Sequence, residues 1–148
     1  MDYSMLLLVL LGCPLAAALL IAVLPAKSTP RGAYEALHVL SLAGVAVAGL
    51  TLVVTAFAGS DIFALGEWFH LDGLSALFLG LIAVIAPCTG VYSLPYVAHD
   101  VAEGKLGPSQ VKQYYAFFSL FVFSMVLSVT SNNIIMMWAA IEATTLST

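Results

Sequence analysis

The chain has 148 residues, of which 62% are hydrophobic and 8% charged, with a formal net charge of −4. A soluble domain carries roughly 25% charged residues, so this composition excludes a water-soluble globule and points to an integral membrane protein. Only four residues are Lys or Arg, which excludes the basic footprint of a nucleic-acid-binding protein.

The expected fold is all-α and multi-pass, one transmembrane region over residues 1–148 with the lipid bilayer as its solvent. A helix needs about 20 apolar residues to cross a hydrocarbon core about 30 Å thick. Residues 4–24 are such a run. Within it "LLGC" at 10–13 imitates a cleavage site, but Met1-Asp2 brings no basic start and the apolar run continues to Leu24. A signal peptide has the opposite features, so the segment reads as span one. Residues 36–58 form span two, with His38 as its ionisable residue. Residues 73–98 form span three, uncharged throughout. Pro14 and Pro87 fall inside spans, where membrane helices tolerate proline, usually as kinks. Cys13 and Cys88 lie in apolar runs with no metal or disulfide spacing and read as small hydrophobes.

Residues 113–141 hold no charge over 29 positions. As one helix they would extend about 43 Å, longer than the hydrocarbon core. The polar cluster "SVTSNN" at 128–133 is a turn signal. It splits the run into span four, 114–130, and span five, 133–148. The alternative is one tilted helix that carries Glu142 to the far interface. With the split, span five has 16 residues, about 24 Å of helix. That is short of a full crossing, and no polar anchor follows. The expected architecture is therefore four full spans plus an incomplete fifth, the N-terminal portion of a longer polypeptide.

The loops predict the orientation. Residues 25–35 hold Lys27 and Arg31, and residues 99–113 hold Lys105 and Lys112. Residues 59–72 form a short hairpin between spans two and three, with three acids and no Lys or Arg. The positive-inside rule then puts loops one and three in the cytoplasm and the N-terminus outside.

Glu142 is the residue that composition does not explain. It lies about 15 Å into span five, near the midplane. A carboxylate there must stay protonated or find a cation or water. Both suit a proton-relay residue, and the plain alternative is a structural Glu bonded to a neighbouring helix. Thr144, Thr145, Ser147 and Thr148 follow it and either hold a water wire or let helices pack closely. His38 sits just inside span two beside the basic loop, where it could pass protons or simply be solvated. His70 and Asp72, in "WFHLDGLS", read as a hairpin turn capping span three. Trp68 and Trp138 read as interfacial or packing aromatics. No motif for a metal, haem, iron–sulfur cluster, phosphate loop or other cofactor is expected.

Two stretches carry a resemblance. "EWFHLDGLSALFLGLI" at 67–82 is similar to the outer hairpin and following helix of the antiporter-like subunits of respiratory complex I. "NNIIMMWAAIEATTLST" at 132–148 resembles the fifth helix of the same superfamily, where an acid lies mid-membrane. Its "WAAIEATTLS" is most similar to the membrane subunit of formate hydrogenlyase-type and hydrogenase 4-type complexes, with Mrp-type antiporter subunits more distant. The resemblance covers residues 60–148, and the first two spans by topology alone. It implies about fourteen helices built from two inverted repeats, each with a broken helix. It also implies that a Glu at the position of Glu142 pairs with a Lys of a later span. The function implied is proton translocation, driven by electron transfer in a peripheral redox arm. The host would be a complex I-like or membrane-bound hydrogenase oxidoreductase of a bacterial or archaeal inner membrane, with other membrane subunits as partners. A sodium/proton antiporter subunit of the Mrp type, or a structural membrane protein without transport, are the alternatives. No redox site is expected in this chain.

Overall fold

The computed structural model describes residues 3–26, 28–59 and 62–148. Lys27 of the first basic loop, and Met1, Asp2, Ser60 and Asp61, lie outside the described residues. Five helices and one hairpin follow in order: α1 Tyr3–Val23, α2 Arg31–Phe57, β1 Ile62–Ala64, β2 Phe69–Leu71, α3 Gly73–Ala102, α4 Pro108–Thr130 and α5 Ile134–Ser147. The first four helices are long and apolar enough to cross a membrane; α5 is apolar and shorter. Leu40, Val47 and Val54 on the outside of α2 are each about 70% exposed (71%, 68% and 69%). Such a surface requires apolar surroundings, lipid or a neighbouring helix, and the chain is a multi-pass membrane protein.

The helices reach past the apolar runs that mark them in the sequence. α2 starts at Arg31, directly after Pro30, and its first turn is closed by an Arg31–Glu35 ion pair of 2.8 Å. α4 starts at Pro108, where the fixed φ of proline suits the first helical position, and the Gln110 Oε1 accepts from the Gly107 N–H at 2.8 Å. These ends are polar, so hydropathy alone does not mark them. α1 runs through Pro14, and α3 through Pro87 and Pro95.

The bundle is a ring in which α2 packs on α1 and α3, and α4 packs on α1 and α3. Apolar side chains fill its inside, with Leu7, Leu10, Val45, Leu52, Leu79, Val122 and Val126 essentially fully buried. Burial from lipid adds little driving force, because lipid tails are as apolar as leucine. Close helix approach matters more, and small residues permit it. A Cβ on Gly49 would stand 2.9 Å from the Ala83 Cβ, and one on Gly44 would stand 2.9 Å from the Cys13 Sγ. Cys13 thus packs as a small hydrophobe.

The hairpin closes one end of the ring. β1 and β2 pair antiparallel, with Phe63 opposite His70 and their rings stacked at 4.3 Å. Its turn is unusual, since Leu65, Gly66 and Glu67 all have positive φ (51°, 62° and 74°). Left-handed backbone is unfavourable for Leu and Glu. The α4–α5 link offsets it. Asn132 donates from its N–H to the Trp68 carbonyl and from Nδ2 to the Glu67 carbonyl, both at 2.9 Å, and Ser131 bridges Phe69. The same link breaks the long apolar run. α4 stops at Thr130, and Asn133 caps α5 by accepting from the Ile135 and Met136 N–H groups. The split at 128–133 is therefore the one observed, and a single tilted helix is not.

Asp72 caps α3 as expected, accepting from the Ser75 N–H at 2.7 Å. The Ser75 N–H and hydroxyl hold its carboxyl below the ordinary carboxylate range. A lowered folded value means the cap acts fully above the ordinary pKa of about 4 and is lost as pH falls through the folded value. Asp72→Ala should cost about 1 kcal/mol at neutral pH. Thermal unfolding in detergent should show the gap to the parent closing in acid, and Asp72→Asn, which keeps an acceptor, should show little gap at either pH.

Candidate functional site

Glu142 stands on α5, eight residues after Ile134 and so about 12 Å from the hairpin end. α5 packs along α4 on the outside of the four-helix ring. Ala140 is its one fully buried residue among those described, and Met136, Ala143, Thr144 and Ser147 share the half-buried side. At 100° per residue, Glu142 lies on the opposite side. Its stripe is Ile135, Trp138, Ile141, Glu142 and Thr145, all exposed in this chain. A carboxylate thus interrupts an apolar helix face at mid-helix depth, turned away from the ring.

The threonines beside it are engaged elsewhere. Thr144 donates to the Ile141 carbonyl at 2.6 Å, and Thr145 to the Glu142 carbonyl at 2.7 Å. Ser147 and Thr148 likewise bond back to their own helix. Hydroxyls in membrane helices commonly satisfy themselves this way, and each keeps its oxygen lone pairs free to accept from water or a neighbouring helix.

Cations do not reach Glu142 among the described residues. Arg31, Lys105 and Lys112 all belong to the opposite, loop end, where Lys105 pairs with Glu103 and Asp100 and His99 pairs with Glu103. No group of three or more His, Cys, Asp or Glu side chains among the described residues could hold a metal ion. His38 is not brought to Glu142 either. Nor is it solvated at an interface, as its place beside the basic loop suggests. It is 0% exposed, inside the ring, between Tyr115, Phe118 and Gly90. The side chain enters because α3 offers no side chain at Gly90. That signal lies 52 residues away in sequence and belongs to a different helix, so local pattern does not reveal it.

Comparison with known proteins gives partial matches. Over 83 residues the chain is 37% identical to a hydrogenase-4 component F homolog of Methylacidiphilum infernorum, covering 56% of this chain and 17% of that protein. Over 125 residues it is 30% identical to NADH-quinone oxidoreductase subunit L of Escherichia coli, covering 71% of this chain and 19% of that protein. Over 81 residues it is 36% identical to a putative antiporter subunit of Staphylococcus saprophyticus, covering 53% and 9%. The chain thus spans less than a fifth of each of these relatives. No family model matches it.

Proposed function

We propose, for a chain that is a distant partial homologue of antiporter-like membrane subunits, that it forms part of a proton-translocating subunit in which Glu142 is the group that gains and loses the proton. The observation that carries this reading is the place of Glu142: a lone carboxylate at mid-helix depth on an otherwise apolar face. An intramembrane acid facing lipid is costly and rare. The exposed stripe of α5 therefore packs, in the working protein, against another membrane helix that brings a cation or water. Carboxyl groups in low dielectric hold their proton, and an approaching cation releases it. Such a pair converts charge movement into proton movement.

The host is a complex I-like or membrane-bound hydrogenase complex of the formate hydrogenlyase type. Its redox chemistry resides in a peripheral arm, and other membrane subunits flank this one. The 37% identity to a hydrogenase-4 component F homolog supports that assignment. The 36% identity to a putative antiporter subunit supports a second reading, a sodium/proton antiporter of the Mrp type that uses the same carboxylate. Purification of the native complex separates them. A co-purifying hydrogenase or quinone-reducing arm supports the first, and sodium-dependent proton exchange without any such arm supports the second. Replacement of Glu142 tests the claim common to both.

The proposed orientation places the hairpin end outside and the loop end in the cytoplasm of an inner membrane, since Arg31, Lys105 and Lys112 gather at the loop end. A membrane-impermeant thiol reagent added outside intact cells should modify Trp68→Cys and spare Lys105→Cys. The reverse pattern would overturn the orientation.

A further inference from the structure

Inside the ring, below the loop end, lies a set of polar side chains that Glu142 does not explain. Neither ring nitrogen of the fully buried His38 makes a well-formed hydrogen bond among the described residues. The Gly90 backbone lies beside the ring, and a Cβ there would stand 2.9 Å from Nε2; the Gly90 carbonyl accepts from the Ser93 hydroxyl at 2.7 Å and keeps one lone pair, so it can serve at most one of the two ring nitrogens. The Tyr115 ring packs against His38 at 4.9 Å. Its hydroxyl, and that of Ser119 one turn further along α4, are likewise buried without a partner among the described residues. Four orphan polar atoms thus share one region of an apolar membrane bundle. Burying polar atoms dry in such a place is expensive enough that membrane proteins almost always satisfy them.

A second observation shows how they could be satisfied. At the loop end a cavity of about 170 Å³ is lined by Arg31, Tyr34, Val101, Leu106 and Val111, among others. Water takes about 30 Å³ per molecule in the liquid, so several fit. The orphan groups begin one turn below: His38 follows Tyr34 by four residues, and Tyr115 follows Val111 by four. Glu35, paired with Arg31 at 2.8 Å, stands one turn before His38 on α2.

We propose that this region is a hydrated proton-access path, which runs from the loop-end cavity past Glu35 and Tyr115 to His38 and ends at Ser119. Its ligand is water and the excess proton water carries. His38 accepts a proton from water at one ring nitrogen and returns one to water from the other, which leaves the imidazole in its other tautomer; exchange of the ring protons with water, or a turn of the ring, restores it before the next passage. The path is short. His38 lies about 10 Å along α2 from Arg31, and Ser119 about 16 Å along α4 from Pro108. Ser119 is also about 16 Å from the hairpin end of α4, close to the depth of Glu142 at about 12 Å on α5. The path therefore brings protons from the loop end to the level of the membrane-embedded carboxylate. It does not depend on Glu142 being the titrating group.

The test uses the full-length protein in lipid vesicles, with its native cysteines replaced. Single cysteines are placed at His38 and, as a dry control, at Val45, which is equally buried on the same helix. The probe is a small cationic methanethiosulfonate supplied at the loop end. Thiolate, the reactive form, arises where water reaches, so His38→Cys should react about tenfold or more faster than Val45→Cys. Leu106→Trp, which fills the cavity mouth, should slow the first rate and leave the second unchanged. In the unsubstituted protein, the ¹⁵N-imidazole signal that disappears in His38→Gln should receive magnetisation from water protons. Equal labelling of the two cysteines, labelling indifferent to Leu106→Trp, or a His38 signal without transfer from water would each overturn the path.

Discussion

Glu142→Gln should leave the host complex assembled and lower its proton translocation by about a hundredfold or more, the lower end of the scale on which a positioned proton-transfer group acts. Glutamine matches glutamate in shape and can still bond a neighbouring helix, so any structural service of this position survives. What it cannot do is gain and lose a proton. Glu142→Asp keeps the titrating group but pulls it back by one methylene, and it should retain partial activity. Pumping is measured as acidification in vesicles, alongside the yield of intact complex for each variant. Thr145→Val is the internal control. Its hydroxyl is bonded to the Glu142 carbonyl within α5, so its loss should leave pumping close to that of the parent. Normal pumping by the glutamine variant would show that Glu142 is structural.

Gly90→Leu should destabilise the bundle by about 2 kcal/mol or more, the usual scale of forcing extra atoms into a packed core. Even the first added carbon collides with Leu42 Cδ1 and stands 2.9 Å from His38 Nε2. The Leu42 methyl could turn aside alone, but Leu42 is 2% exposed and the His38 ring is held between Tyr115 and Phe118. The α2–α3 approach must then widen, and the ring loses its close fit. Gly80→Ala on the same helix should behave in the opposite way. Its nearest neighbours are Val53 methyls at 3.7 Å, an ordinary contact, and alanine is the better helix former by about 1 kcal/mol. Unfolding in a denaturing detergent series ranks the two. A Gly90→Leu protein as stable as Gly80→Ala would mean that helix spacing here is set by something other than the small residue.

Much of this architecture is readable along the chain, because each helix that crosses a bilayer must be long and apolar on its own account. That requirement alone locates α1, α2 and α3, and it makes Glu142 conspicuous within α5. Turn chemistry adds the rest: Asp72 caps α3, and Asn133 opens α5 after the polar cluster that ends α4. What tertiary structure alone decided is the facing of each helix. In water an amphipathic stripe announces the buried side, but in a bilayer both sides of a helix meet apolar surroundings. Rotation about each axis is then left to close contacts between helices distant in sequence, such as Gly44 on Cys13, Gly49 on Ala83 and Gly90 on His38. These contacts carry His38 into the core when its place beside the basic loop suggests solvent. The hold of α4 on Ala140 and Ala143 likewise turns Glu142 outward, so the two titratable residues that stand out within the spans occupy opposite sides of the ring wall.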